Sequence, residues 1–374
     1  MSARPLPPFR ADHVGSLLRP PELLRARAEF KSGRIDLEDL REIEDEAIIG
    51  VIDLQRDAGL QSVTDGEFRR TSWHMDFIYS LEGVEQVAGE VLHVQFRNDD
   101  GEYDYAPPAM RVSGKVGVGE TIFADAFTFL RDHARPGQTP KLTIPSPSMV
   151  HYRGGNSSID ESVYPDMEYF WDDLTEAYAK ELRGAHALGC RYLQLDDTSL
   201  AYINDPAQRE HIEAIGGDPN HLHEQYISNI NRALAGKPDD LVVTTHLCRG
   251  NNPSMWAAEG GYDFVAEALF GDLNVNGYFL EFDDERSGTF DPLRFVPAGK
   301  QVVLGLVTTK RPELESKDLL KRRIDEASRF VDLEQLCLSG QCGFSSTEEG
   351  NHLTIDDQRR KLELIVEVAE EVWG

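Results

Sequence analysis

Short apolar, β-rich segments alternate with longer amphipathic patterns along the whole chain. The segments with strand composition are residues 11–16, 61–67, 141–147, 191–197, 241–248, 277–284, 301–308 and 336–344. Helical patterns, with apolar residues at three- and four-residue spacing, cover residues 38–58, 169–188, 319–331 and 355–373. Strands that alternate with helices form parallel β-α units. Eight strands over 374 residues therefore predict an α/β fold of the (β/α)₈ TIM barrel type.

One long stretch does not fit a single β-α unit. It covers about residues 84–139, between the second and third predicted strands, and contains NDDGEYDYAPP and the glycine-rich VSGKVGVG. Turn-forming residues between apolar runs are typical of a hairpin. We therefore expect one domain over residues 1–374, with a hairpin-containing insertion after strand two.

The charge and cysteine content exclude several classes of protein. The chain has 66 acidic and 38 basic residues, a formal charge of -28, whereas nucleic acids and anionic membranes are bound by basic surfaces. No apolar run approaches the roughly 18 residues of a membrane-spanning helix, and the first residues lack the apolar core of a secretory signal. Four cysteines are too few for a disulfide framework in a chain of this length. The sequence thus predicts a cytoplasmic protein with reduced cysteines.

Chemically capable side chains lie near the carboxyl ends of almost all the predicted strands. They are His13, Ser16, Asp65, Glu67, Ser146, Asp196, Asp197, His246, Cys248, Glu281, Asp283, Thr308 and Cys342. In a (β/α)₈ barrel these ends meet on one face, which carries the active site. A doubly wound sheet would bring only a few of them to one crevice. The pattern therefore favours the barrel and predicts one functional site.

The stretch TTHLCRGNN contains a possible pair of metal ligands. His246 and Cys248 are two residues apart, so on a strand they point to the same side. Alone, such a pair is more often part of the core. The barrel adds Glu281 and Cys342 at the same rim, and two thiolates, an imidazole and a carboxylate suit tetrahedral zinc, whereas magnesium and calcium prefer oxygen ligands.

A zinc ion with these ligands is suited to a particular chemistry. Hydrolases usually keep neutral ligands and an open water position, and an anionic ligand set is poor at acidifying water. The set is better suited to lowering the pKa of an incoming thiol while leaving the thiolate able to attack carbon. The residues therefore indicate alkylation of a thiol.

Seven motifs carry a resemblance to a known family. In chain order they are DHVGSLLRP, VTDGEFRR, LQLDDTSLAY, THLCRGN, FLEFDDERSG, VVLGLVTTK and LSGQCGFSSTEEGN. Over nearly its whole length the chain resembles the short, single-barrel members of the cobalamin-independent methionine synthase family, which are similar to its catalytic C-terminal domain. The resemblance implies zinc held by His246, Cys248, Glu281 and Cys342. It also implies methyl transfer to the thiol of homocysteine, as in 5-methyltetrahydropteroyltriglutamate–homocysteine S-methyltransferase.

The same resemblance implies roles for substrate-binding residues. Glu67 and Asp196 match acidic positions that hold the amino group of homocysteine, and the Gly15-Ser16 turn matches backbone that receives its carboxylate. Buried acids of this kind need a cationic partner or a raised pKa. Lys310 stands where the large enzymes have the His of an HSPR-like motif near the methyl donor, so it is a catalytic candidate together with Glu67 and Asp196.

Several alternatives remain at this level. Asp197 and Asp283 could be hydrogen-bonded loop anchors, and His13 could bond only to the first strand turn. The single barrel and the Lys310-Arg311-Pro312 sequence depart from the large enzymes and leave either a folate or methylcobalamin as donor.

Two other functions would also be consistent with a zinc site. A transferase or lyase could act on another small thiol such as coenzyme M, as in an epoxyalkane:coenzyme M transferase. A barrel could also hold zinc for structure alone. Paired acids favour homocysteine, which has an amine, and ligands from three separate strand ends differ from the short spacings of structural zinc sites. The sequence leaves the oligomeric state open.

Overall fold

The computed structural model describes residues 6–91, 94–98, 101–105 and 108–374. The first elements are α1 (Pro21–Lys31), α2 (Leu37–Asp57), β1 (Ser62–Val63), α3 (Met75–Ile78), β2 (Glu82–Val91), β3 (Val94–Asn98), β4 (Gly101–Tyr105), β5 (Pro108–Gly117), α4 (Ala124–His133) and β6 (Thr139–Pro145). The next are 3₁₀ helices at Pro147–Val150 and Gly155–Ser158, then α5 (Met167–Ala187), β7 (Tyr192–Asp197), α6 (Ser199–Tyr202), α7 (Pro206–Ala214), α8 (Leu222–Leu234) and β8 (Val242–Leu247). The last are α9 (Ala266–Asp272), β9 (Gly277–Glu281), 3₁₀ helices at Glu285–Ser287 and Asp291–Phe295, β10 (Gln301–Val307), α10 (Lys317–Ala327), a 3₁₀ helix at Leu333–Gln335, β11 (Leu336–Gly340) and α11 (Ile355–Trp373).

The long helices begin at capping residues in the sequence. Asp36 and Thr354 each form a reciprocal capping box, at the start of α2 and α11, and Asp166 caps α5. A cap of this kind stabilises a helix by about 1 kcal/mol. The four helical patterns in the sequence correspond to α2, α5, α10 and α11 and confirm those predictions.

A seven-stranded, all-parallel sheet forms the centre of the molecule. Its strand order is β1-β6-β7-β8-β9-β10-β11, so each strand after β6 pairs with the next one in sequence. The register places Pro145 opposite Asp196 and Asp196 opposite His246. Residues near the carboxyl ends of these strands therefore lie at the same level of the sheet.

Residues 10–17 lie between the two edges of this sheet. Ala11 forms a parallel bridge with Leu338 of β11, and Asp12 N donates to Leu338 O at 3.0 Å. On the other side, Leu17 N donates to Gly66 O at 3.1 Å, just beyond β1. The sheet is thus curled, and the α/β fold is consistent with a TIM-like barrel.

The first two predicted strands are much shorter in the structure. Residues 11–16 contribute only the bridge at Ala11, because the Asp12 carboxylate accepts the N–H groups of Phe9 and His13. The segment 61–67 is a strand only over β1, since Thr64 N bonds to the Gln55 side chain. The chain then turns through positive φ at Gly66 and Glu67.

Two antiparallel pairs lie between β1 and β6. β2 pairs with β5, and β3 pairs with β4. β3 also bonds to a distant loop, because Arg97 N donates to Trp256 O at 2.8 Å and Trp256 N donates to Arg97 O at 3.0 Å. The predicted stretch 84–139 also includes α4, whose Phe127 and Leu130 are buried. Residues 92, 93, 99, 100, 106 and 107 of that stretch lie outside the described residues.

The strands separate two buried environments. On β7, Leu193 and Leu195 belong to the main apolar core, to which α5 contributes residues such as Leu174 and Leu182. Tyr192 alternates with them and belongs to a small second cluster with Phe279 and residues of three other segments. Gln194 and Asp196 share the side of Tyr192, so the inside of the curl is partly polar. Among the described helices, none has the length and apolar character needed to cross a bilayer.

Candidate metal centre and pocket

Three predicted metal ligands form a buried cluster at the carboxyl ends of β8 and β11. One ligand atom each from His246, Cys248 and Cys342 lies within 4.8 Å of the others, and the two sulfur atoms are 3.2 Å apart. His246 is only 2% exposed, yet neither ring nitrogen has a hydrogen-bond partner. Buried polar atoms without partners cost free energy, so the cluster fits a bound cation. One imidazole and two thiolates suit zinc.

The raised pKa of the Cys248 thiol means that a metal ion would have to displace its proton. The neighbouring Cys342 and burial raise the pKa of the Cys248 thiol well above its ordinary value. Burial lowers the pKa of His246, but the nearby Cys248, Asp196 and Glu281 outweigh it and raise the pKa overall. Metal binding at this site would therefore release a thiol proton, because the thiolate is the ligand.

Glu281, the fourth predicted ligand, lies outside this group of three. Its carboxylate is fully buried, accepts the backbone N–H of Arg249 at 3.1 Å and pairs with Arg286 Nη1 at 3.3 Å. Burial raises the pKa of Glu281, but the charges of Lys310, Arg286 and Arg249 lower it overall. Glu281 is thus an ionised group beside the cluster, held by two arginines.

A pocket of about 640 Å³ lies over the cluster. The predicted site residues that line it are Ser16, Glu67, Asp196, His246, Cys248 and Cys342. They come from five separate parts of the chain, and the curled sheet brings them together. Gly15, Glu281 and Lys310 are not among the lining residues. We call this space the inner pocket.

Glu67, which lines the inner pocket, is held in an unusual backbone conformation. Its φ is +61°, which costs a non-glycine residue about 1–3 kcal/mol and is often found at functional sites. Thr143 Oγ1 donates to its Oε1 at 2.7 Å, but the buried Oε2 has no partner. Burial raises the pKa of Glu67, although Arg70, 3.7 Å away, opposes the shift. The unpaired oxygen is suited to a donor from a ligand.

Asp196 lines the inner pocket together with Glu67, and we call these two residues the acidic wall. Gly15 lies next to them. Burial raises the pKa of Asp196 to about 7, and Gln194 Nε2 donates to its carboxylate at 2.6 Å. Gly15 has φ +148°, and a Cβ there would lie 2.7 Å from Thr143 Cγ2 and 3.3 Å from Glu67 Oε1. Only glycine fits at this position, so the backbone of the turn closely approaches the acidic residues.

Other candidates serve the structure. Asp197 accepts hydrogen bonds from Ser146, Ser148 and Ser199 and from Leu200 N, which agrees with an anchor role. Asp283 pairs with Arg286 at 3.3 Å, and burial raises its pKa to about 6.

Lys310 and His13 also lie outside the inner pocket. Lys310 Nζ donates to Asn251 Oδ1 at 3.4 Å and lines a neighbouring cleft, so it reaches the inner pocket through Asn251. His13 is buried with neither ring nitrogen bonded, and burial lowers its pKa to about 4.

Several lining residues escape sequence reasoning. They are Trp73, His74, Phe96, Tyr105, Arg153, Tyr202, Asn251, Asn252, Ser346 and Thr347. Most stand in loops or on β3 and β4, where no periodicity marks them. Four of them lie within the motifs quoted above, and this position is the signal that could have identified them: Tyr202, Asn251, Ser346 and Thr347.

Comparison with known proteins identifies the family. Residues 169–371 match the family described as "Cobalamin-independent synthase, Catalytic domain". The chain belongs to the cobalamin-independent methionine synthase family. The match runs from α5 into α11 and so includes Asp196 and all three clustered ligands. The predicted resemblance is confirmed.

Individual relatives extend this likeness to the rest of the chain. The uncharacterized protein YxjH of Bacillus subtilis is 47% identical over 98% of this chain and 95% of its own length. A Listeria monocytogenes structure, described as a candidate vitamin-B12-independent methionine synthase, is 38% identical with a TM-score of 0.80, over 99% of this chain and 100% of that one. A methionine synthase of Pyrococcus abyssi is 25% identical over 90% of this chain and 87% of its own. A cobalamin-independent family gives no support to the expected alternative of methylcobalamin as donor.

Proposed function

We propose that this protein is a zinc-dependent S-methyltransferase that transfers a methyl group from a folate-type donor to the thiol of homocysteine, giving methionine. One observation carries the proposal: the inner pocket joins a soft nitrogen and sulfur cluster to two buried acids. A thiol that also carries an ammonium group matches both ends of this pocket. Family membership and the methionine synthase relative from Pyrococcus abyssi support the same reaction.

In this proposal His246, Cys248 and Cys342 hold the metal, with Glu281 beside them as the fourth ligand. When bound, zinc would lower the pKa of a thiol and keep the sulfur nucleophilic. His246, Cys248 and Cys342 all line the inner pocket, so a zinc ion held there would be accessible to a substrate, as is typical of catalytic rather than structural zinc. Arg286 and the backbone N–H of Arg249 keep the Glu281 carboxylate ionised and oriented beside the three other ligands.

The acidic wall binds and orients the acceptor. Glu67 and Asp196 receive the ammonium group, whose charge favours the ionised form of both carboxylates despite their burial. The closely approaching turn at Gly15 and Ser16 receives the carboxylate. With both ends of the small amino acid fixed, its thiol is directed to the metal ligands, and positioning of this kind lowers the barrier to methyl transfer.

We assign Lys310 a positioning role. Its charge lowers the pKa of Glu281, and its ammonium group bonds to Asn251, which lines the inner pocket. It acts through these neighbours and does not line the inner pocket itself. Aromatic side chains that also line the inner pocket, including Trp73, Phe96 and Tyr202, limit the entry of water.

We also propose that residues 1–374 form a single (β/α)₈ barrel domain, with residues 10–17 in the place of the eighth strand. The bonds to Leu338 and Gly66 support this closure. The two antiparallel pairs support a hairpin-containing insertion within residues 84–139.

The function is tested by incubating zinc-loaded protein with homocysteine and one donor at a time. The donors are 5-methyltetrahydrofolate, its triglutamate and methylcobalamin, and methionine is measured by mass spectrometry. Methionine should form with a folate donor, and removal of zinc by a chelator should abolish the reaction. Coenzyme M in place of homocysteine should remain unmethylated, because it has no ammonium group for Glu67 and Asp196. Equal methylation of both thiols, or full activity without zinc, would contradict the proposal.

A further inference from the structure

Arg153 stands where the inner pocket meets a second space. This space, which we call the outer groove, has a volume of about 1160 Å³ and is lined by Gln95, Arg97, Tyr152, Asp205, Gln208 and His211. Arg153 and Tyr202 line both the outer groove and the inner pocket. A ligand that extends from the inner pocket into the outer groove would therefore come close to Arg153 and Tyr202.

Within the described ranges of the chain, no carboxylate lies close enough to Arg153 to form an ion pair. Its buried Nε has no hydrogen-bond partner. The other arginine of the groove, Arg97, pairs with Glu259 at 3.2 Å. The carboxylate of Asp205 is committed to the N–H groups of Ala207 and Glu259, each at 2.9 Å. In a chain with 66 acidic residues, an arginine without an acidic partner at a pocket junction is suited to an anion from outside.

Tyr202 connects this junction to the metal cluster. Its hydroxyl would lie 2.9 Å from a Cβ placed on Gly250, and Gly250 N donates to Cys248 Sγ at 3.2 Å. Gly250 has φ +98°, so a glycine is needed for this close approach. Arg153 is therefore on the side of the cluster that adjoins the outer groove.

The proposed acceptor leaves Arg153 without a role. Its ammonium group is received by Glu67 and Asp196, and its carboxylate by the turn at Gly15 and Ser16. The second substrate must approach the thiol from the remaining open side. A planar guanidinium offers paired N–H donors that match a carboxylate or a phosphate.

We propose that Arg153 binds an anionic group, a carboxylate or a phosphate, of the methyl donor at the junction of the inner pocket and the outer groove. This inference rests on the proposed function, because it assigns the second substrate of the same site. The acidic wall selects the acceptor by its positive charge, and Arg153 selects the donor by its negative charge. The charges of these residues thus direct each substrate to its own position in the site.

Two variants and a matched control test the proposal. Arg153→Gln removes the charge, Arg153→Lys keeps the charge without the paired donors, and Arg111→Gln changes an exposed arginine of β5 that pairs with Asp160 at 3.2 Å. Calorimetry on the zinc-loaded protein measures the Kd of each donor without homocysteine, so that no turnover occurs. The triglutamate of 5-methyltetrahydrofolate supplies carboxylates, and methylcobalamin supplies a phosphodiester.

We expect Arg153→Gln to weaken binding of the carboxylate donor about 10- to 100-fold, as for loss of a charge-assisted hydrogen bond. The affinity of Arg153→Lys for this donor should lie between those of Arg153→Gln and the wild type. The affinity of Arg111→Gln should equal that of the wild type. Homocysteine should bind all four proteins with equal affinity. If Arg153→Gln weakens the binding of methylcobalamin and not that of the folate, the recognised group is a phosphate.

Three results would overturn the proposal. They are equal donor affinity in Arg153→Gln, no binding of either donor to the wild type, and weaker binding of homocysteine with donor affinity retained. The last result would give Arg153 to the acceptor. Failure of the proposed function is distinguishable, since donor binding would then depend on Arg153 while no methionine formed.

Discussion

The two ends of strand β7 carry buried polar clusters with opposite properties. Tyr192 at the amino end and Asp196 at the carboxyl end are four residues apart on the same side of the strand. Tyr192 belongs to a group with Asp12, Ser62 and Lys141 whose carboxylate is fully bonded. Asp196 belongs to the inner pocket, where several buried polar atoms have no partner.

At the amino end, the Asp12 carboxylate has many donors. It accepts from Ser62 Oγ at 2.8 Å, Tyr192 OH at 2.9 Å and two backbone N–H groups, and it pairs with Lys141 Nζ at 3.5 Å. Lys141 also donates to His13 O at 2.6 Å. We call these four side chains the lower cluster. A buried carboxylate with this many partners fixes the structure and has no capacity left for a ligand.

At the carboxyl end, Glu67 Oε2 and both nitrogens of His246 lack partners, and Gln194 Oε1 does too. Glu67 and His246 line the inner pocket, whereas the lower cluster lines none of the pockets described above. Burial of polar groups alone therefore does not mark function. Buried polar atoms that lack hydrogen-bond partners beside a pocket do mark function, because a ligand can supply those partners.

The largest effect should come from the lower cluster. Replacing Lys141 with Met leaves the buried Asp12 carboxylate without its ion-pair partner, which should lower the free energy of unfolding by about 3–5 kcal/mol. Urea denaturation measures this loss, and the folded fraction should bind homocysteine as the wild type does. A loss below about 1 kcal/mol, within the range of surface pairs, would remove the contrast between the two ends.

The next effect concerns the metal ligands. Cys342→Ser should weaken zinc binding by at least about 100-fold, since changes to outer partners alone can cost 10- to 100-fold. The matched control is Cys337→Ser, which alters a buried cysteine of β11 outside the cluster. Metal analysis and competition with a chelator measure the affinity. If both variants retain equal zinc, the cluster is not the metal site.

The acidic wall should show a smaller, selective effect. Asp196→Asn preserves the shape but removes a charge, and homocysteine should bind about 10- to 100-fold more weakly, corresponding to roughly 1.5–3 kcal/mol. Zinc content should not change, which separates the acid from the metal ligands. Unaltered homocysteine affinity would mean that the ammonium group binds elsewhere, and would favour another small thiol such as coenzyme M as the substrate.

The smallest effect is a pH dependence of stability. Burial raises the pKa of Glu67, so the folded protein holds that proton more tightly than the unfolded chain. Stability from this group is present below the ordinary carboxyl pKa near 4.5 and is lost as pH rises through the raised value. Glu67→Gln removes this loss, so the ligand-free variant should gain stability relative to the wild type between pH 4.5 and 8.

Thermal unfolding across that pH range measures the difference between Glu67→Gln and the wild type. Homocysteine should then stabilise the wild type more than the variant at pH 8, since its ammonium group pairs with the ionised acid. A constant difference at every pH would mean that Glu67 is ionised and paired without a ligand.

The sequence by itself determined the parallel α/β elements. β7 and β8 lie within one residue of the predicted strand limits, and α11 has the predicted limits of 355 and 373. These elements are marked by local periodicity and by capping residues, which depend only on neighbours in the chain. The placement of ligand-type residues at the ends of strands is equally local, and it indicated one rim and the residue types of the metal cluster.

Only the tertiary structure decided which of these residues meet and which polar atoms stay unpaired. Cys248 and Cys342 come within 3.2 Å although they are 94 positions apart, whereas Glu281 is held by Arg286 outside the cluster. Arg153 and the aromatic lining residues come from turns, from the short helix α6 and from β3 and β4, and no periodic pattern in the sequence assigned them to the pocket. Partnering is set by distances across the curled sheet, and a sequence records separation along the chain rather than distance in space.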